Sequence, residues 1–245
     1  MVRGSLIEEQ EPSVAQRLQE VRRRIAAAAA HGGRDPEAVT LVAVSKSFPV
    51  EAVAEAARAG HVHFGESRAQ ELRDKSRVAG EGIRWHFLGR LQRNKVKYVV
   101  GSAELIHSVD SEELAVGIGD RARRLGITQE VLVQANAGED PAKAGFGLDA
   151  LTGAIERVRS IDGVTCRGIM TIPPMGVDPR GSFRALRRAR DTLREQYPEV
   201  TELSMGMSAD FEVAVEEGAT IVRVGEAVFG PRQQRTTSIT GAVNV

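Results

Sequence analysis

The sequence predicts an α/β fold: a single (β/α)8 barrel of the TIM type with an extra helix at its N-terminal side. Three observations carry this expectation. Short apolar segments of β-forming residues alternate with stretches of helical periodicity about eight times along the chain. Those β-forming segments are largely apolar rather than cleanly alternating with polar residues, as expected of parallel strands covered by helices. The chain has 245 residues with no internal repeat and no dividing linker, a length that one such barrel fills. A doubly wound open sheet is the alternative arrangement of the same units.

Residues 1–11 are polar and are expected to form a flexible N-terminus. Residues 12–31 read as a helix, because Ser13 suits an N-cap and Val14, Leu18, Val21 and Ile25 recur at helical spacing. The first strand is expected at 40–45, where Thr40-Leu41-Val42-Ala43-Val44-Ser45 is apolar and β-branched. Further strands are expected at 61–64, 84–88, 104–107, 129–135, 164–170, 201–204 and 220–224. Helices are expected between them at 49–59, 67–77, 91–99, 111–125, 148–160, 180–196 and 208–217. The barrel thus occupies residues 12–231. The polar tail 232–245 has no helical pattern and is expected to be flexible.

Composition bounds the function. Acidic and basic side chains number 33 each, and no basic stripe is interleaved with aromatics, which argues against a nucleic-acid partner. Cys166 is the single cysteine, so no disulfide forms within the chain and a reducing compartment fits. No apolar run approaches the roughly 18 residues of a membrane span, and the N-terminus lacks the apolar centre of a signal peptide. A cytoplasmic protein is expected.

In such barrels the chemistry sits where strands end and loops begin. Lys46 closes the first apolar strand segment. Only five of the 33 basic residues are lysines (46, 75, 95, 97 and 143), so a lysine at this place suggests amine chemistry, since an amine forms a Schiff base with an aldehyde and a guanidinium does not. The simpler reading is a strand-end lysine reaching for solvent. Ser204-Met205-Gly206-Met207-Ser208 joins the seventh strand to a helix expected to begin near Ser208, and Gly225-Glu226 precedes the last helix. Both offer backbone N–H groups suited to a phosphate, or are ordinary turn and capping residues. Arg223 lies within the apolar strand Thr220–Gly225, where a permanent charge needs a carboxylate partner or a ligand. His61, His63, His86 and His107 lack metal-site spacing and read as packing or solvent-facing residues. The arginines at 184, 187, 188 and 190 read as an exposed helix face.

Taken together, LVAVSKSFPVEAVAEA, HFGES with the following AQE, RWHFLGRLQRNK, IHSVDS, IMTIPP, LSMGMSADFEVAVEEGAT and IVRVGEAVFG resemble the pyridoxal phosphate homeostasis protein family. The match runs in order from about residue 15 to 231. The resemblance implies a barrel like the N-terminal domain of bacterial alanine racemases, with pyridoxal 5'-phosphate (PLP) held as a Schiff base on Lys46. It further implies a cofactor site of Lys46, Ser67, Ser204, Met207, Ser208, Arg223, Gly225 and Glu226, with the phosphate against Ser204, Ser208, Gly225 and Glu226 and Arg223 facing the pyridine nitrogen. Two positions depart from the family pattern: Ser67 stands where asparagine is usual, and Glu226 where a small hydroxyl residue is expected.

The function implied is PLP binding and intracellular PLP homeostasis without turnover, with apo PLP-dependent enzymes as recipients, no catalytic residue, and a monomeric chain. The alternative is a PLP-dependent amino-acid racemase. That chemistry needs a second acid–base group opposite the lysine, supplied in the racemases by a tyrosine from a separate domain. The only tyrosines here, Tyr98 and Tyr197, fall in a predicted helix and at the end of another. A cofactor-free Schiff-base aldolase is a third reading, and it leaves Arg223 and the phosphate cradle without a role.

Overall fold

The computed structural model describes residues 11–138, 140 and 143–231. Eight parallel strands close on themselves in chain order, with β8 returning to pair with β1. They are β1 (Thr40–Val44), β2 (His63–Glu66), β3 (Arg84–Phe87), β4 (Leu105–Val109), β5 (Gln129–Gln134), β6 (Val164–Met170), β7 (Glu202–Ser204) and β8 (Ile221–Val224). Around them lie α1 (Val14–His31), α2 (Val50–Arg58), α3 (Ala69–Ser76), α4 (Val96–Val99), α5 (Glu112–Arg124), α6 (Leu151–Arg159), α7 (Arg180–Gln196), α8 (Phe211–Glu216) and α9 (Glu226–Phe229). The closed eight-stranded α/β barrel with its extra N-terminal helix is the architecture the sequence predicts. Of the expected flexible N-terminus at 1–11 all but residue 11 lies outside the described residues, as does the expected flexible tail at 232–245.

Alternation along each strand divides the core in two. Leu41, Ala43, Val222 and Val224 point outward into the main apolar layer beneath the helices. Val42 and Ile221 point inward and pack with Leu105, Leu132 and Met170 in a small cluster inside the barrel. Arg223 is paired in register with Val42, so it shares this inner face. Helix α1 closes the outer ring. Ser13 and Gln16 cap it reciprocally, and Val14, Leu18, Val21 and Ile25 form its buried stripe.

Four expectations need correction. The second strand begins at His63, two residues later than expected, because Gly60 (φ 78°) ends α2 in a left-handed turn and the His61 N–H donates to the Ala56 carbonyl. Helix α8 begins at Phe211 rather than near Ser208, because Met207 and Asp210 close a turn on each other first. The helix expected at 91–99 is a 3-10 turn at Arg93–Lys95 followed by one turn of α4. The arginine run on α7 is not a simple solvated face. Glu217, 3 % exposed, is reached by Arg180, Arg184 and Arg187 across the α7–α8 seam, and Arg190 is buried with its guanidinium on the Thr201 carbonyl. Burial alone would raise the Glu217 carboxyl, yet the Arg180 and Arg184 hydrogen bonds hold it below its ordinary value.

Cys166 is buried on β6, and burial pushes its thiol up to about 12, which leaves it inert at neutral pH. Among the described residues no helix is long and apolar enough to cross a membrane.

Candidate cofactor site

At the C-terminal ends of the strands, a cavity of about 300 Å³ brings together residues from six separate stretches of sequence. Lys46, Ser67, Met207, Ser208, Arg223, Gly225 and Glu226 all line it, between apolar walls from Val44, Leu88 and Ile172. The position of each follows from the barrel.

Lys46 lies two residues beyond β1 in a tight turn. The Ser45 N–H donates to the Gly65 carbonyl and the Phe48 N–H to the Ser45 carbonyl, so the chain reverses at the lysine. Gly65 permits the approach of β2: a Cβ there would lie 2.5 Å from Leu88 Cδ1 and 2.9 Å from Val42 Cγ1.

Arg223 is 5 % exposed and makes no ion pair among the described residues. Its Nη1 donates to Ser204 Oγ at 2.6 Å and its Nη2 to the Thr171 carbonyl at 3.0 Å. Burial lowers it to about 10, with Asp210 opposing the shift, so it remains charged at neutral pH. The alternative of a carboxylate partner is therefore not realised. A cation with neutral protein partners faces the cavity.

The cradle is formed where β7 and β8 run into their following turns. Gly225 N–H donates to Ser208 Oγ at 3.3 Å. The N–H groups of Ser208, Ala209 and Glu226 have no acceptor among the described residues. Glu226 is exposed, which leaves its carboxylate in solvent. Gly206 sets the first of these turns with φ 91°, and a Cβ there would lie 2.5 Å from Ala214 Cβ and 3.0 Å from Phe211 Cα. Gly206→Ala combines left-handed strain with overpacking and is expected to cost about 2–4 kcal/mol of folding stability. Urea unfolding of the variant measures it, and an unchanged midpoint would contradict the packing described.

Ser204 does not line the cavity. It is fully buried beneath Arg223, and its hydroxyl also meets His107 Nδ1 at 2.8 Å. From there a chain of imidazoles runs down the barrel axis: His107 Nε2 to His86 Nδ1 at 2.9 Å, then His86 Nε2 to His63 Nδ1 at 3.0 Å. Arg223 can only donate, so Ser204 Oγ accepts from it, which leaves the Ser204 proton free to go to His107 Nδ1. His107 and His86 are then each protonated on Nε2 and donate outward. Burial lowers His86 to about 3 and holds His107 well below its ordinary value, so both stay neutral. His61 is held apart, with Nε2 on the His63 carbonyl at 2.7 Å. Sequence reasoning missed this chain. Its signal is one histidine on each of three consecutive strands, spaced by the length of a repeat unit rather than by a motif. Among the described residues no cluster of His, Cys, Asp or Glu is poised to hold a metal.

Tyr98 and Tyr197 lie away from the cavity. Tyr98 sits on α4 among Arg73, Lys95 and Lys97, and Tyr197 caps α7 under Arg159. Lys143 also lies outside the lining and donates to the carbonyls of Ile172 and Pro173.

Residues 16–233 match the family model described as the alanine racemase N-terminal domain. A curated protein of Aquifex aeolicus, named as a pyridoxal phosphate homeostasis protein, is 42% identical over 226 residues, covering 90% of this chain and 99% of that one. The Escherichia coli K12 protein of the same name is 38% identical, covering 89% and 97%. Among solved structures, PipY of Synechococcus elongatus with PLP bound superposes with a TM-score of 0.78 at 36% identity, covering 89% of this chain and all of that one (100%).

Proposed function

Because the chain belongs to the pyridoxal phosphate homeostasis protein family, built on the alanine racemase N-terminal domain, we propose that it binds pyridoxal 5'-phosphate as a Schiff base on Lys46. Its role is to hold the cofactor for intracellular PLP homeostasis without turning over a substrate. The observation that supports this most is the shared cavity: it is lined by an amine, a buried guanidinium and backbone N–H groups, and among the described residues the guanidinium has no carboxylate partner and the N–H groups no acceptor.

That donor set fits the cofactor. A phosphate dianion needs several donors and no facing carboxylate, which the Ser208 hydroxyl and the Ser208, Ala209 and Glu226 N–H groups supply. Lys46 supplies the nucleophile from the opposite wall. Arg223, fixed by Ser204 and Thr171, presents only donors to a ring nitrogen and so keeps that nitrogen unprotonated. When bound, PLP supplies an aldehyde to the amine and a ring able to withdraw electrons; a nitrogen left unprotonated weakens that withdrawal. Lys46, Arg223 and Glu226 are the titratable residues of the lining, and neither tyrosine is among them. Among the described residues the lining thus offers no tyrosine, histidine or buried carboxyl to act as a second acid–base group beside Lys46, which favours holding over racemisation. We place the protein in the cytoplasm as a monomer that passes the cofactor to apo PLP-dependent enzymes.

Titrating the purified protein with PLP is expected to give a yellow complex saturating at one equivalent, with no accumulation of D-alanine from L-alanine. A protein that stays colourless contradicts the cofactor assignment. Sustained alanine racemisation supports the racemase reading instead.

A further inference from the structure

A second lysine, Lys75 on α3, is buried behind the turn that carries Lys46, with its side chain 9% exposed. Its ammonium makes three hydrogen bonds in three directions: to the Ser45 carbonyl at 2.8 Å, to Glu66 Oε1 at 2.6 Å and to Glu71 Oε1 at 3.0 Å. The two carboxylates extend the reach of this group. Glu66 Oε1 also accepts from the Ser45 hydroxyl at 2.7 Å, and Glu71 Oε1 accepts the Ser47 N–H at 2.9 Å. The network thus grips the residue before Lys46 and the residue after it.

Ser47 is where that grip matters. With φ 69° it is the only non-glycine residue at positive φ among the described residues. A serine in this region carries a cost that surrounding contacts must offset. Here the contact is the Glu71 carboxylate, itself held by Lys75. Stability alone does not explain the arrangement. Buried ion pairs contribute little beyond an apolar replacement, and Glu66 Oε2 is buried with no hydrogen-bond partner among the described residues. The choice of residue points the same way. In a chain that uses arginine for most of its cations, this position has lysine, whose three donors diverge tetrahedrally where a planar guanidinium could not reach all three acceptors.

We propose that Lys75, through Glu66 and Glu71, is a positioning residue that holds the Ser45–Ser47 bend so that Lys46 points into the cofactor cavity. The inference rests on the assignment of Lys46 as the PLP lysine. It makes the bend conditional on the network: without Glu71 or Lys75 the backbone at Ser47 relaxes out of the left-handed region and the Lys46 amine leaves its place.

The test uses Glu71→Ala and Lys75→Met in the full chain, each alone and combined with Ser47→Gly. Glycine takes positive φ without cost, so it should hold the bend unaided. Each single variant is expected to weaken PLP binding about tenfold, the equivalent of the strain at one such residue. Adding Ser47→Gly is expected to restore most of that loss, a rescue that a merely structural role for Lys75 would not give. In the protein without PLP, Glu71→Ala should also speed hydrogen exchange at the Ser47 amide. If Lys75→Met does not fold, the half-exposed Glu71 variant carries the test alone. Binding and exchange unchanged in Glu71→Ala would overturn the proposal, as would a binding loss that Ser47→Gly leaves untouched. If the wild-type protein binds no PLP, the cofactor assignment fails, while the exchange measurement still judges the bend.

Discussion

Acidification from pH 7 to pH 5 is expected to remove on the order of 5 kcal/mol of folding stability, most of it through three buried histidines. His61 is lowered to about 4, His86 to about 3, and His107 well below its ordinary value, in each case chiefly by burial. In the unfolded chain each titrates near its ordinary value of about 6.5. Between the folded and unfolded values the unfolded chain binds more protons, so protons favour unfolding. The stabilisation is fully present above about pH 6.5 and is lost as pH falls toward the folded values. Each histidine contributes about 1.4 kcal/mol per pH unit within that window. Glu66 acts in the opposite sense, because burial raises its carboxyl and makes the folded state the better proton acceptor there. One such group offsets only part of three histidines. Urea unfolding at the two pH values measures the difference. A stability independent of pH across this range would mean that the imidazoles are hydrated rather than stacked in the barrel.

The acid sensitivity and the candidate site share part of their origin, since His86, His107, Ser204 and Arg223 all point into the barrel, while His61 stands outside it on the His63 carbonyl. Val42, Leu105, Leu132, Met170 and Ile221 fill only part of that interior. His86, His107, Ser204 and Arg223 fill the rest, and each is satisfied by the next. The chain of donors begins at Arg223, whose guanidinium is oriented from below by Ser204 and from the side by the Thr171 carbonyl.

The barrel was legible because its signal is periodic and repeated. A strand of five or six apolar residues reads the same wherever its neighbours lie, and the α1 stripe of Val14, Leu18, Val21 and Ile25 needs no tertiary information. The errors fall where a single local bond decides. The Ala56 carbonyl moves the start of β2 past His61, and the Met207–Asp210 turn moves the start of α8 past Ser208. Lys46 and Arg223 stood out as chemically unusual residues on apolar strands, and both line the cavity. Depth along the barrel axis was not legible, which is why Ser204 was expected beside the phosphate and lies instead beneath Arg223. The imidazole chain was invisible for the same reason. Its members are far apart in sequence and become neighbours only when consecutive strands align. The role of Lys75 required the three-dimensional meeting of α3 with two strand ends.

Replacing Lys46 with alanine is expected to have the largest effect on ligand binding. The side chain is half-buried and the turn is held by Ser45 and Ser47, so the fold should be retained. The phosphate cradle and Arg223 remain and should keep a weak, reversible affinity. The covalent link is lost, and with it on the order of a hundredfold or more in affinity, about 3 kcal/mol. Alanine at this position should therefore leave a protein that still quenches slightly on PLP addition but never turns yellow.

Borohydride reduction of the PLP complex, followed by peptide mapping, addresses the central claim most directly. The expected result is a single reduced adduct on the peptide that contains Lys46, absent from the Lys46→Ala protein. An adduct on Lys75, Lys95, Lys97 or Lys143 in the wild-type chain, or one that persists when Lys46 is gone, would contradict it.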